Sequence, residues 1–159
     1  MRKPLPAPAI PEPGQAKRGE AGHLGYLLRQ AGAALRARMD HALADLGVTP
    51  PQFSALTMIG AYPGLSSADL ARLSLLTPPT VALIVANLRR AGSIASRPHP
   101  VHGRIRQLEL TPAGASLLAR CKRRVAALES ALVDGLPPAE EAAIRRWLVR
   151  VASEGAPQA

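Results

Sequence analysis

Aromatic residues are scarce in this 159-residue chain: Tyr26, Phe53, Tyr62 and Trp147 are the whole set, although 47% of the residues are apolar. A core with so few rings must be built from Leu, Ile, Val and Ala, which suits helices packed on helices. Cysteine is scarcer still. Cys121 stands alone, so an intrachain disulfide is excluded and a cytoplasmic location is expected. No stretch approaches the roughly 20 apolar residues of a membrane span, so no membrane partner is expected. The start, Met1-Arg2-Lys3-Pro4, lacks the apolar run of a secretion signal. A glycine-rich phosphate loop, a metal-ligand cluster and a Ser/His/Asp set are also missing, so neither an enzyme nor a cofactor is expected. His99 and His102 form a His-x-x-His, but two imidazoles without a carboxylate or thiolate nearby make a poor metal site.

Acid is short too, with 11 Asp and Glu against 20 Lys and Arg, a net charge of +9. The excess is uneven. Segment 47–111 sets Arg72, Arg89, Arg90, Arg97, Arg104 and Arg106 against Asp69 and Glu109 alone. The first 18 residues add Arg2, Lys3, Lys17 and Arg18 against Glu12. Such a surplus over one compact segment is what a phosphate-binding surface requires.

What is present is helix-forming and well punctuated. Residues 1–19, with Pro4-Leu5-Pro6-Ala7-Pro8-Ala9-Ile10-Pro11-Glu12-Pro13, read as a disordered, basic, proline-rich arm. From about Glu20 to Leu46, Leu24, Leu28, Ala31, Leu35, Met39 and Leu46 recur at helical spacing until Gly47. Thr49-Pro50-Pro51-Gln52 is a capping box that opens a helix to about Ala61, and Pro63-Gly64 breaks it. Ser66 with Asp69 starts a short helix to about Leu73, and Thr77-Pro78 starts another that ends at Ala91-Gly92. Ser93–Arg97 and Arg104–Leu110 suit two strands across the Pro98–Gly103 turn. Thr111-Pro112 opens a long helix with Leu117, Leu118, Cys121, Val125 and Leu128 on one side, where Cys121 reads as a buried structural thiol. A last helix follows from about Pro138 to Ala152.

Helix, turn, helix and basic hairpin in that order predict a winged helix-turn-helix over 47–111. The fold is expected to be mainly α with a small β-hairpin wing. Segments 20–46 and 112–153 carry apolar stripes longer than one small lobe can cover. They are expected to form a helical region that pairs with a second copy.

The ordered set Leu46-Gly47-Val48-Thr49-Pro50-Pro51-Gln52-Phe53, Leu65-Ser66, Ala68-Asp69-Leu70-Ala71, Thr80-Val81, Leu88, Gly92, Arg97-Pro98, Arg104, Leu110-Thr111 and Gly114 resembles the multiple-antibiotic-resistance regulator (MarR) family. The resemblance covers roughly residues 20–152. It implies a homodimer on a pseudo-palindromic double-stranded DNA site, acting as a repressor released by a small, often aromatic anionic effector. Arg104 is then expected in the minor groove, with Arg97 and Arg106 behind it and Arg89 nearby. Thr80 and Asn87 are the expected polar readers of the major groove. Ser66 and Ser67 serve as caps first and phosphate contacts second. His23, Arg29, Arg36 and His41, on the first long helix, are the expected effector contacts.

The chain departs from the family twice. His102-Gly103-Arg104 stands where Asp-x-Arg is common, and Ala82 and Leu83 stand where polar or basic residues are common. Leu83 suits a thymine methyl or a protein neighbour. A family member that dimerises and binds a ligand or protein while reading DNA weakly is the alternative.

Overall fold

Local signals set most of the element boundaries in the computed structural model, which describes residues 9–98 and 105–154. The helices are α1 (Leu24–Leu43), α2 (Pro50–Ala61), α3 (Ser67–Ser74), α4 (Pro78–Arg90), α5 (Pro112–Val133) and α6 (Pro138–Glu154). Strands β1 (Ile94–Pro98) and β2 (Arg106–Leu110) lie between α4 and α5. They pair antiparallel, with Ile94 opposite Leu110 and Arg97 opposite Gln107. The expected mainly helical fold with a hairpin wing is what forms.

Caps explain the starts. Thr49 accepts from the Gln52 amide while the Gln52 side chain accepts from the Thr49 amide, closing the box that opens α2. Ser66 and Asp69 do the same for α3. Gly47 ends the turn after α1 in the left-handed region, at φ 63°. Thr77 behaves differently from its expected role. It makes no cap bond to α4; its hydroxyl pairs at 2.8 Å with that of Thr80.

Two apolar clusters hold the chain together. The larger joins α2, α3, α4, the hairpin and α5, with Leu56, Ile59, Leu70, Val81 and Leu108 almost wholly buried. The smaller sets Leu43 and Val48 against Cys121 and Val125 of α5. Phe53 and Leu117 touch both clusters, so α2 and α5 join the lobe to α1. Cys121 is fully buried, as expected, and its desolvation pushes the thiol pKa up. The wing is tied down on its inner side as well. Leu108 donates its amide to the Leu65 carbonyl at 2.8 Å and accepts from Gly64 at 3.1 Å.

The beginning of the chain differs from expectation. Helix α1 starts at Leu24 rather than near Glu20, because Gly19 and Gly22 form a turn in which Gly22 donates to the Gly19 carbonyl. Residues 9–19, expected as part of a disordered arm, fold back on α1 around a short helical turn at Ala16–Arg18. Arg18 donates to the Pro11 carbonyl and to Gln30, and Gln30 donates to the Arg18 carbonyl. Residues 1–8 lie outside the described residues.

Leu75, at the turn between α3 and α4, adopts φ 54° and is 91% exposed. A branched side chain in the left-handed region costs roughly 1–2 kcal/mol, and no burial offsets it here. Leu75→Gly should therefore stabilise the chain by about 0.5–1 kcal/mol, the backbone relief less the added freedom of the unfolded chain. Thermal unfolding checks this; a lower Tm would mean that Leu75 makes a contact worth more than its strain.

Candidate nucleic-acid interface and effector cleft

Helix α4 buries Val81, Ile84, Val85 and Leu88 against the lobe. Its opposite face is thereby presented outward, with Thr80, Leu83, Asn87 and Arg90 at helical spacing. Pro78 and Pro79 fill the first turn, so two of the amides that would serve an anion at this end are missing. The polar groups on the face are already engaged. Thr80 shares its hydroxyl with Thr77, and Asn87 accepts from Arg90 at 3.3 Å. Leu83 points away from the core and is 63% exposed.

Basic side chains flank this face. Arg89 and Arg90 stand with Ile94, Ala95 and Ser96 around an open notch between α4 and β1. Strand alternation puts Arg97 and Arg106 on opposite faces of the hairpin. Arg106 is held by Ser96, donating to its hydroxyl at 3.1 Å and to its carbonyl at 2.9 Å. Arg97 forms an ion pair with Glu109 across the hairpin, a diagonal partner that depends on strand register. Asp69, the other acid of segment 47–111, pairs with Arg72. Both acids of the segment are thus matched, and the surplus charge rests on the remaining arginines. Arg104, His99 and His102 lie outside the described residues.

Ser66 is committed to its cap. Its hydroxyl donates to Asp69 at 2.6 Å, and hydrogen bonds from Ser66 are the main reason the Asp69 carboxyl sits below its usual pKa. Ser67, in the first turn of α3, stays exposed.

A cleft of about 290 Å³ opens where α1 crosses the lobe. Gly32, Leu35, Arg36 and Met39 of α1 form one wall; Pro50, Pro51 and Ser54 of α2, with Ser74 and Leu76, form the other. No carboxylate lines it. Among the described residues, the Ser74 Oγ is the one buried side-chain polar atom without a hydrogen-bond partner. Of the residues expected to contact an effector, Arg36 reaches this cleft. His23 precedes α1 and is exposed, Arg29 stacks over the Tyr26 ring at 5.7 Å, and His41 is exposed beyond the cleft. Ser54 and Ser74 were not foreseen, because nothing in their local sequence places them opposite α1. Among the described residues no three His, Cys, Asp or Glu side chains gather to hold a metal ion. No single helix there is long and apolar enough to cross a membrane.

A helical body drawn from both chain ends, carrying a lobe with helix-turn-helix and hairpin, defines a winged helix-turn-helix protein. A family model described as MarR family matches residues 46–105. The HTH-type transcriptional repressor Rv2887 of Mycobacterium tuberculosis is 35% identical over 131 residues, spanning 82% of this chain and 94% of that protein. Among solved structures, the transcriptional repressor CouR bound to a 23-mer DNA duplex is similar with a TM-score of 0.76 at 29% identity, over 82% of this chain and 92% of that one. The Rv2887 complex with p-aminosalicylic acid gives a TM-score of 0.66 at 33% identity, over 82% of this chain and 99% of that one. The chain belongs to the MarR family.

Proposed function

We propose that this protein is a homodimeric transcriptional repressor that binds a pseudo-palindromic DNA duplex and is released by a small organic acid. The observation that carries the reading is the outward face of α4 framed by unmatched arginines. Lys and Arg over a groove-sized helix supply the phosphate attraction that dominates DNA affinity. Relatives similar along most of their length support it, one a named repressor and one solved on DNA.

What α6 leaves uncovered supports dimerisation. No residue of α6 is buried, and Ile144, Leu148 and Val151 on one side of it are each more than a third exposed. Leu24 and Leu28 of α1 are exposed likewise. A second copy covers these stripes and sets two α4 helices for adjacent major grooves.

The cleft supplies the control. A ligand seated between α1 and the lobe touches both the dimer body and the DNA-reading part, so it favours one lobe spacing over the other. Arg36 provides the positive charge, Ser54 and Ser74 provide hydroxyls, and Leu35, Met39, Pro50, Pro51 and Leu76 provide an apolar slot. That is the chemistry of a small aromatic carboxylate with a second polar group, the class to which the p-aminosalicylic acid bound by Rv2887 belongs. Calorimetric titration with p-aminosalicylate tests it. Arg36→Ala should weaken binding about tenfold or more, the worth of a charge-assisted hydrogen bond. Equal affinity in wild type and variant would remove Arg36, and with it this cleft, from the reading.

A further inference from the structure

The outward face of α4 lacks the usual hydrogen-bonding tools for telling bases apart. Ala82 and Ala86 are exposed but reach nothing, Thr80 is engaged with Thr77, and Asn87 is engaged with Arg90. Leu83 stands between Thr80 and Asn87 on this face, and it is the large apolar side chain that α4 exposes. At 63% exposed, it does not pack inside the chain. The prolines of the first turn further reduce what the helix end offers a phosphate.

One base edge in the major groove is recognised by apolar contact rather than by hydrogen bonds, the C5 methyl of thymine. We propose that Leu83 is the specificity-determining residue of this protein and that it selects operator sites by covering thymine methyl groups. The neighbouring cations commit the occupant to DNA: Arg89 and Arg90 at the end of the same helix, beside the notch against β1, attract phosphate and leave Leu83 to meet the bases. On this view the apolar face is a reading head of narrow vocabulary rather than a lost one. The Thr80 methyl and the Ala82 methyl widen the apolar surface beside Leu83, so a run of adjacent thymines suits it best.

The inference rests on the DNA-binding reading above, and a two-stage experiment separates the two. Full-length protein is used to select duplexes from a random pool, and the selected duplex is resynthesised with deoxyuridine replacing each thymidine in turn. Deoxyuridine pairs as thymidine does and lacks only the methyl. Wild type should lose about fourfold in affinity per methyl covered, hence about sixteenfold when both half-sites are substituted, the transfer worth of one buried carbon each. Leu83→Ala, an exposed substitution that leaves the core untouched, should bring the thymidine-to-deoxyuridine ratio close to one. It should leave the salt dependence of binding as it is, because no phosphate contact is removed. Leu83→Asn should shift the selected sequence toward adenine, which asparagine reads in two hydrogen bonds. Tight binding with a flat ratio in wild type, or a ratio that Leu83→Ala leaves intact, overturns the inference and spares the DNA reading. Failure to bind any duplex removes both.

Discussion

Alanine at position 114 should cost the chain about 3 kcal/mol, because its methyl must displace backbone rather than side chain. A Cβ built on Gly114 lies 1.8 Å from the Ser93 carbonyl oxygen. The same junction is fastened by Thr111, which donates its amide to Ser93 at 3.1 Å and its hydroxyl to Gly92 at 2.6 Å. The Thr111 hydroxyl also accepts from the Gly114 amide at 3.0 Å, starting α5. This clasp joins the end of α4 and the root of the wing to the first turn of α5. Gly114→Ala should therefore lower Tm by roughly 10 °C in a chain of this size. DNA affinity should fall as well, since the wing and α4 lose their common anchor. An unchanged Tm would mean that the junction yields without strain.

Leu148→Glu should have the largest functional effect. Leu148 shares a face of α6 with Ile144 and Val151, and among the described residues it is 41% exposed. A carboxylate introduced at a two-fold interface is buried twice, once from each copy, so its desolvation opposes association on both sides. Sedimentation is expected to give a dimer for wild type and a monomer for the variant. Affinity for a two-half-site duplex should drop by two orders of magnitude or more, because the second lobe no longer binds as an intramolecular event. A Leu148→Glu protein that remains dimeric and binds DNA as wild type does would exclude α6 from the interface.

Much of the fold was legible because its signals are local. Thr49 with Gln52, Ser66 with Asp69, and Gly47 each act within a few residues, so reading them in order places α2, α3 and the end of α1. Through-space meetings were not legible. Arg36 was foreseen as a cation on α1, but that it faces Ser74 depends on the angle at which α1 crosses the lobe. Arg97 was foreseen as a contact, but its pairing with Glu109 depends on strand register. Thr77 carried the signal of a cap and instead bonds the Thr80 hydroxyl, which changes what α4 offers a base. The prolines of residues 9–19 suggest disorder. The fold-back rests on Arg18 finding both Pro11 and Gln30, a pairing that composition does not encode.

The most direct measurement is an anisotropy titration of the selected duplex with wild-type protein, run with and without saturating p-aminosalicylate. The expected result is two chains bound per duplex, an affinity that falls steeply with salt, and at least a tenfold loss of affinity when the acid is present. Duplex binding that is indifferent to an acid already shown by calorimetry to occupy the protein, or no duplex binding at all, would contradict a repressor controlled through the cleft at Arg36.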